Sequence, residues 1–350
     1  VGRPELVGTH PDYRIRGLVR AQFEVVHQWC AERGLLVQII TGIPYYYRQF
    51  GYEMALNLGG GRSGYKVHVP KLNEDEQELY MIRPAQEADL PLIAELYRLG
   101  CQRSLVSCVH EDAYWKYELN GKSEKDINRF DLFIIHSRDG EALGFLACPC
   151  FNWGPVFAAV TYELKTGVSW AAVTPAVVRF LYAAGEARAA KEGKQAEFGA
   201  FALNFGDEHP SYQVFGDSLP RIREPYAFYM RVPDLPGFIR VISPALEKHL
   251  QDSPYAGHTG ELKIGFYRHG LLLDFENGRL VKVEAYQPQP YGHSADAAFP
   301  DLTFLQLLFG RRTVDELHYA FADCFYNGDV THGLLNALFP KQASDVWMLS

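Results

Sequence analysis

The sequence predicts alternating α/β structure in its first two thirds and an α+β module in its last third. One observation is an amphipathic helix at residues 18–33, which is followed by a buried apolar strand at residues 35–41. A second is another alternation of strands and helices that begins near residue 79. The third is a group of three strands between residues 261 and 286, with helices on both sides.

The composition is that of a folded protein with a sizeable core, since 47% of the 350 residues are apolar and 22% are charged. The formal net charge of −8 disfavours nucleic acid as the main partner and favours cationic substrates. The chain has no apolar run of the ~18 residues that a membrane span needs, and no signal-peptide pattern. Its six cysteines lack metal-ligand spacing. We therefore expect a cytoplasmic protein with no metal and no nucleic-acid or membrane partner.

The first helix has a clear apolar stripe and a clear end. Gly34 is expected to close the helix, because glycine adopts the left-handed conformation that commonly follows a last helical turn. Its apolar positions recur at spacings of three and four and are Val19, Phe23, Val26, Trp29 and Cys30.

After an acidic linker at residues 73–76, the pattern predicts a second α/β segment. Its long helix is expected to begin at Thr174, since threonine is a good N-cap and Pro175 suits a first turn. In the last segment, Asn277 and Gly278 predict a tight hairpin. The strands that we expect lie at residues 79–82, 132–136, 143–147, 261–267, 271–276 and 279–286, and further helices at residues 87–99, 302–309 and 314–321.

The first two segments look like copies of one unit. Residues 47–51 and 212–216 share a Y-x-x-F-G pattern at an offset of 165, and the same gap-free offset pairs Gly34 with Gly199. By that offset, the partner of the strand at residues 79–82 would lie upstream of Val1. We therefore expect the natural chain to begin roughly 85 residues earlier, although a short gene product is the alternative.

The segment from Val7 to Arg20 has the pattern of an anion-binding loop. It ends a strand, turns, and opens a helix, whose first backbone N–H groups carry partial positive charge. Gly17 would let the backbone approach an anion closely, and Arg14 and Arg16 add formal charge. An ordinary basic helix start is the alternative.

This segment, PDYRIRGLVR, resembles motif A of the GNAT acyl-CoA N-acyltransferases, R/Q-x-x-G-x-G/A, which holds the acetyl-CoA pyrophosphate. Val19 stands where glycine or alanine is commonest. The R-x-R-G-L-x-R form of the enhanced intracellular survival (Eis) proteins, which the run also resembles, tolerates a larger aliphatic residue there. The resemblance implies acetyl-CoA as acyl donor, bound by Val7, Gly8, Thr9, Arg14, Ile15, Arg16, Gly17, Leu18 and Val19.

Residues 44–52 resemble the end of the family's motif B, an aromatic-rich helix that leads to F-G-Y/F. The resemblance implies that Tyr47 is the general acid that returns a proton to the thiolate of coenzyme A, a role that suits a phenol with a pKa near 10. The alternative is that Tyr45, Tyr46 or Tyr47 only packs, because Tyr212 repeats the pattern in a segment without an anion loop.

The resemblance also implies a domain order. Residues 1–73 would be the C-terminal part of an N-terminally truncated catalytic GNAT domain, residues 74–235 a degenerate GNAT domain, and residues 236–350 a sterol-carrier-protein-like α+β domain. In the degenerate copy, Tyr182 stands at the gap-free position of Gly17. In the Eis family the terminal carboxylate reaches the active site, so that Ser350 is expected to be a second catalytic residue.

The resemblance thus predicts an acetyl-CoA-dependent N-acetyltransferase that acts on a primary amine by direct transfer in a ternary complex. The acceptor would be an aminoglycoside-like polyamine, a lysine or a small amine, and the protein a homo-oligomer. The alternative is a non-catalytic scaffold protein that binds acyl-CoA or lipid.

Overall fold

A computed structural model describes residues 1–194, 197–288 and 295–346. The chain forms two compact units. The first combines residues 1–57 with residues 227–342, and the second combines residues 58–226 with the tail from Ala343. The domain boundaries that we expect near residues 73 and 235 separate consecutive stretches of sequence, whereas each of these units combines separate stretches. The expected boundaries therefore stay a prediction.

Helices and strands alternate through most of the described chain, and none of its helices is long and apolar enough to cross a membrane. The helices are α1 (Leu18–Glu32), α2 (Leu90–Cys101), α3 (Asp112–Lys116), α4 (Trp170–Lys191), α5 (Pro210–Phe215), α6 (Leu235–Gln251), α7 (Phe304–Leu308), α8 (Val314–Ala320) and α9 (Gly328–Leu338). The strands are β1 (Gln38–Ile40), β2 (Glu53–Leu58), β3 (Gly61–Tyr65), β4 (Tyr80–Pro84), β5 (Phe130–Ser137), β6 (Ala142–Pro149), β7 (Val156–Ala159), β8 (Thr161–Leu164), β9 (Ala200–Leu203), β10 (Arg221–Arg223), β11 (Tyr226–Arg231), β12 (Gly260–Gly265), β13 (Gly270–Glu276), β14 (Arg279–Tyr286), β15 (Ala297–Ala298) and β16 (Phe325–Tyr326).

The first unit contains two sheets. The smaller has the order β1-β11-β2, and its antiparallel register joins Gln38 to Arg231. The larger has the order β14-β13-β12-β15-β16. Its β13–β14 hairpin turns at Asn277 and Gly278, which both have positive φ, 49° and 79°. Positive φ at both central residues is the type I′ geometry, so the predicted Asn-Gly hairpin is confirmed.

The second unit also contains two sheets, with the orders β10-β3-β9-β7 and β4-β5-β6-β8. Consecutive strands are divided between the two units. β3 follows β2 along the chain but pairs with β9 and β10, whereas β11 pairs with β1 of the first unit. This exchange of strands explains why each unit takes chain from separate parts of the sequence.

The helix predicted at residues 18–33 is confirmed, since α1 spans Leu18–Glu32. Gly34 has a φ of 64°, and its N–H donates to the Ala31 carbonyl at 3.0 Å. The Leu35 N–H donates to the Cys30 carbonyl at 2.9 Å. These two bonds satisfy carbonyls that the last helical turn leaves unpaired, as expected of a terminating glycine.

The expected start of the long helix at Thr174 is wrong, because α4 already begins at Trp170. Ser169 caps it, and its side chain accepts a hydrogen bond from the Ala172 N–H at 3.3 Å. Pro175 lies inside the helix, where it removes one backbone donor without ending the helix. Thr174 is fully buried, and its hydroxyl lies 3.4 Å from the Tyr162 hydroxyl, so that it serves the core rather than a cap.

The gap-free pairing of Gly34 with Gly199 is also wrong. Gly34 follows the end of α1 directly, whereas Gly199 lies eight residues beyond Lys191, the last residue of α4, and immediately before β9. Tyr47 and Tyr212 do share a setting, because each lies in a short helical segment that follows a strand. A gap-free offset therefore fails along the helices, and the loss of a glycine at Tyr182 does not follow from it.

Candidate functional site

The start of the chain runs beside β1 and then separates from it. The Gly2 N–H donates to the Val37 carbonyl at 2.8 Å, and the Ile39 N–H donates to the Gly2 carbonyl at 2.8 Å. Within the described ranges, no backbone hydrogen bond joins residues 4–8 to β1. The backbone groups of residues 4–8 are therefore available to a ligand.

The loop between this segment and α1 has an unusual backbone. Ile15 and Gly17 both have left-handed φ values, 64° and 72°, and Arg16 between them does not. Such alternation turns successive N–H groups towards one concave side, the arrangement that binds anions in nests. A β-branched residue is a true outlier in this region, and strain of this kind costs on the order of 1–3 kcal/mol. Ile15 is fully exposed, so packing does not offset that cost.

The first turn of α1 leaves its backbone donors unpaired. The first helical bond runs from the Ala21 N–H to the Gly17 carbonyl at 3.1 Å. In the part of the chain that the structure describes, no acceptor contacts the N–H groups of residues 15–20. The turn contains no acidic residue, and Gly17 offers no side-chain cap. The positive end of the helix dipole is therefore left uncompensated.

Some other helices of the chain have a side-chain cap that α1 lacks. Ser169 accepts from the third residue of α4, Asp234 accepts from the Gly237 N–H of α6, and Thr313 accepts from the Glu316 N–H of α8. Each cap satisfies one donor of a first turn. The helices α2, α3, α7 and α9 also lack a side-chain cap. What distinguishes the start of α1 is the left-handed conformation of Ile15 and Gly17 before it.

Arg14 and Arg16 are exposed beside these donors, and in the described ranges neither contacts a carboxylate. The Arg16 Nη2 donates to the Asp12 carbonyl at 3.1 Å, and its guanidinium lies 5.0 Å from the centre of the Tyr13 ring. The Arg14 Nε lies 3.5 Å from the Thr9 carbonyl oxygen, a weak contact. Both charges are therefore free to meet an anion.

Tyr47 lies in a 3₁₀ helix, Tyr46–Phe50, and its ring is buried. The centre of this ring lies 5.9 Å from that of Phe23 in α1 and 5.5 Å from that of Tyr229 in β11. Burial raises the pKa of the Tyr47 phenol, and Tyr46 and Glu5 add to the effect. Within the described chain its hydroxyl has no hydrogen-bond partner. Tyr47 thus keeps its proton at neutral pH and can donate it.

Gly42 keeps the chain close to this phenol. A Cβ at residue 42 would lie 3.1 Å from the Tyr47 hydroxyl, and the φ of Gly42 is 138°. Any larger residue there would press on the hydroxyl, so that glycine is required by both space and backbone conformation.

A buried polar network lies behind Tyr47. The Tyr52 hydroxyl donates to the Gln38 Oε1 at 3.1 Å, and the Arg231 Nη1 donates to the same oxygen at 3.1 Å. The His27 Nε2 lies 3.2 Å from the Tyr52 hydroxyl and has to donate to it, since that proton is already given to Gln38. Burial and the charge of Arg231 lower the pKa of His27 to about 4. The sequence analysis did not identify His27, Gln38 or Arg231.

A cavity of about 720 Å³ lies next to the open helix start. Residues 4–8 form one wall, and the other comes from one face of α1 that includes Leu18, Phe23 and Trp29. The volume is in the range of small-molecule sites. A ligand in this cavity would meet both the loop and the free backbone groups of residues 4–8.

The structure brings most of the predicted site residues together. Gly8 and Leu18 line the cavity, and Val7 and Val19 pack against the cluster of Phe23 and Tyr47. Because the Val19 side chain points into this cluster, a residue larger than glycine is accommodated there. Ser350 lies outside the described residues.

Solved structures share this architecture. One is a protein from Enterococcus faecalis V583 described as a probable N-acyltransferase. Its alignment covers 98% of this chain and 78% of that protein, with 18% sequence identity and a TM-score of 0.63. The alignment with a GCN5-related N-acetyltransferase from Anabaena variabilis covers 97% of this chain and 79% of that protein, with 14% sequence identity and a TM-score of 0.62. The alignment with Eis1 from Mycobacterium abscessus covers 99% of this chain and 81% of that protein, with 13% sequence identity and a TM-score of 0.55. The chain has the GNAT fold. No known family profile and no curated protein matches the sequence.

The GNAT fold that the loop resemblance implied is confirmed, whereas a sterol-carrier-like C-terminal domain and a degenerate second GNAT domain stay predictions. At these identities the likeness concerns the fold alone. The chemistry of this chain therefore has to be argued from its own residues around Gly17 and Tyr47.

The pH dependence of stability tests the buried histidine. Its lowered pKa means that, as the pH falls below 6.5, the unfolded chain takes up a proton at residue 27 before the folded chain does. The contribution of His27 to the free energy of unfolding should therefore fall from about pH 6.5 towards pH 4, as should those of His110 and His209, whose pKa values burial lowers too. Glu163 and Asp345 act in the opposite direction, because burial raises their pKa values. His27→Gln, which keeps a donor to Tyr52, should make the decline shallower in urea titrations.

The exposed His10 provides the matched control, because His10→Gln should leave the slope of the decline unchanged. A His27→Gln protein whose stability falls as steeply as that of the parent would show that His27 is not held neutral by the fold.

Proposed function

We propose that the protein is an acetyl-CoA-dependent N-acetyltransferase that acts on a primary amine by direct transfer in a ternary complex. The observation that carries the proposal is the open start of α1. Unpaired N–H groups at residues 15–20 and the unpaired charges of Arg14 and Arg16 suit a pyrophosphate, which brings negative charge and many acceptor oxygens.

The cavity and the free backbone of residues 4–8 would hold the rest of acetyl-CoA. The arm of this cofactor carries two amide groups, and a segment without strand partners offers both donors and acceptors to them. The pyrophosphate would lie at Arg14, Ile15, Arg16, Gly17 and Leu18, and the arm would pass Val7, Gly8 and Thr9 towards Tyr47.

The chemistry needs one attack and two proton movements. The amine nitrogen attacks the thioester carbonyl carbon, and the C–S bond breaks as the tetrahedral intermediate collapses. Tyr47 gives its proton to the leaving thiolate, and the amine proton is lost to a base or to water. A raised pKa suits Tyr47 to this role, because the phenol enters the step protonated.

The acceptor would be an aminoglycoside-like polyamine, a lysine side chain or a small amine, in keeping with the net charge of −8. We further propose that the protein is a homo-oligomer. Each chain would carry a degenerate second GNAT domain and a sterol-carrier-like third domain, and the terminal carboxylate of Ser350 would handle the amine proton. No described feature favours the scaffold alternative specifically.

Tyr47→Phe tests the general acid. Removing this proton donor should lower kcat by about 10²–10⁴-fold, the usual contribution of such a group, with coenzyme A binding retained. The measurement is release of free thiol from acetyl-CoA with a panel of polyamines, lysine peptides and small amines.

Tyr45→Phe is the matched control. Tyr45 is the neighbouring exposed tyrosine, 68% accessible, and it should lose little activity. Equal activity of the two variants would remove the role from Tyr47. Parent protein that binds acetyl-CoA but acetylates no amine would favour the scaffold alternative.

Gly17→Ala tests the loop. Gly17 and Gly34 flank α1 with φ values of 72° and 64°, and a Cβ would meet nothing within 4 Å at either. Alanine should therefore cost similar stability at both, about 1 kcal/mol. Only Gly17→Ala should weaken coenzyme A, by about tenfold in a calorimetric titration, because it disturbs the donors that bind the pyrophosphate. Equal affinities in both variants would show that coenzyme A does not bind at this turn.

A further inference from the structure

The second unit carries a separate cationic groove of about 340 Å³ on the sheet β10-β3-β9-β7. Its small residues form a floor and its larger residues a rim. Arg221 lies opposite Ser63, and Arg223 lies opposite Gly61, in the antiparallel register of β10 and β3. Ser63 in turn lies opposite Ala202 of β9. Because opposed residues share one face of a sheet, small side chains extend inward from both arginines and leave space above them.

Two arginines of the edge strand, Arg221 and Arg223, lie on the face of the sheet that carries this groove. Arg83, Arg103, Arg129, Arg179 and Arg188 each form an ion pair with a carboxylate. In the described ranges, Arg221 and Arg223 contact no carboxylate. In a chain with a net charge of −8, two uncompensated guanidiniums beside one groove create a local positive potential.

The lining also offers polar and aromatic groups. Asn204 and Ser63 supply an amide and a hydroxyl, and Trp153 supplies an indole ring. The side chain of Arg62 alternates with those of its neighbours and lies on the opposite face of the sheet, where its guanidinium is 4.9 Å from the centre of the Tyr212 ring. Gly61 is fixed as glycine, since a Cβ there would lie 2.5 Å from the Leu203 carbonyl oxygen.

Charges on the edge strand β10 also discourage pairing with strands of other molecules. That role accounts for the charges of Arg221 and Arg223 but not for the small residues Ser63 and Gly61 that lie opposite them. Nor does it account for the amide and the indole that share the groove with them.

We propose that this groove binds the phosphate group of a small molecule. Arginine presents donors in a planar fork that matches phosphate oxygens, and the volume is that of a small-molecule site. The phosphate could be free or could belong to a nucleoside phosphate whose base packs on Trp153. The site is distinct in its residues from the loop at Gly17 and does not depend on the proposed acetyl transfer.

The test is a calorimetric titration of the full chain with inorganic phosphate and, separately, with AMP. Both are run with and without saturating coenzyme A, so that occupation of the Gly17 loop is controlled. The Arg221→Gln/Arg223→Gln double variant should weaken binding of phosphate or AMP at least tenfold, because two charge-assisted contacts are lost. Both side chains are exposed, so the variant should fold.

Arg98→Gln is the matched control, since Arg98 is another arginine of this unit without an ion pair and lies outside the groove. It should bind as the parent does. AMP bound more tightly than phosphate would identify a nucleoside phosphate, and equal affinities would identify the free anion. No binding of either probe at millimolar concentration, or binding that is unchanged in the double variant, would overturn the proposal.

Discussion

The backbone donors at the start of α1 are the constraint on which the candidate site depends. Every helix begins with N–H groups that have no acceptor within the helix, and most of them are satisfied by caps. Here a glycine without a side chain stands in the cap position, and Arg14 and Arg16 precede it. Exposed to water, these donors cost little while empty, and they can be transferred from water to phosphate oxygens when an anion arrives.

The same helix sets the position of the phenol. Phe23 lies five residues after Leu18, about 7.5 Å along a helix with a rise of 1.5 Å per residue. Its ring stacks on the Phe50 ring with 4.4 Å between the ring centres, and its ring centre lies 5.9 Å from that of Tyr47. Arg20 reinforces the link, because its Nη2 donates to the Gln49 Oε1 at 3.0 Å. A rigid helix and its aromatic contacts thus fix the spacing between the anion loop and Tyr47.

Local physics made part of this structure predictable. α1, its closing glycine at Gly34 and the Asn277–Gly278 hairpin follow from periodicity and backbone preferences that act within a few residues. The start of α4 did not follow, since Ser169 and Thr174 are both acceptable caps and burial of Thr174 decided between them.

The long-range parts of the site could not be read from the sequence. Arg231 reaches Gln38 across 193 residues because β11 pairs with β1, and Tyr229 contacts Tyr47 for the same reason. No local pattern encodes an exchange of strands between two units. The gap-free offset failed for a related reason, since the connection from α1 to β1 is shorter than the connection from α4 to β9.

Amide hydrogen exchange of the full chain, measured by NMR with and without coenzyme A, tests the open helix start most directly. Exchange of the amides of residues 15–20 should slow on binding, because phosphate oxygens would replace water as their acceptors. The amides at the start of α2, which also lacks a side-chain cap, should not change. Unchanged exchange at residues 15–20 in protein saturated with coenzyme A would contradict pyrophosphate binding at this turn.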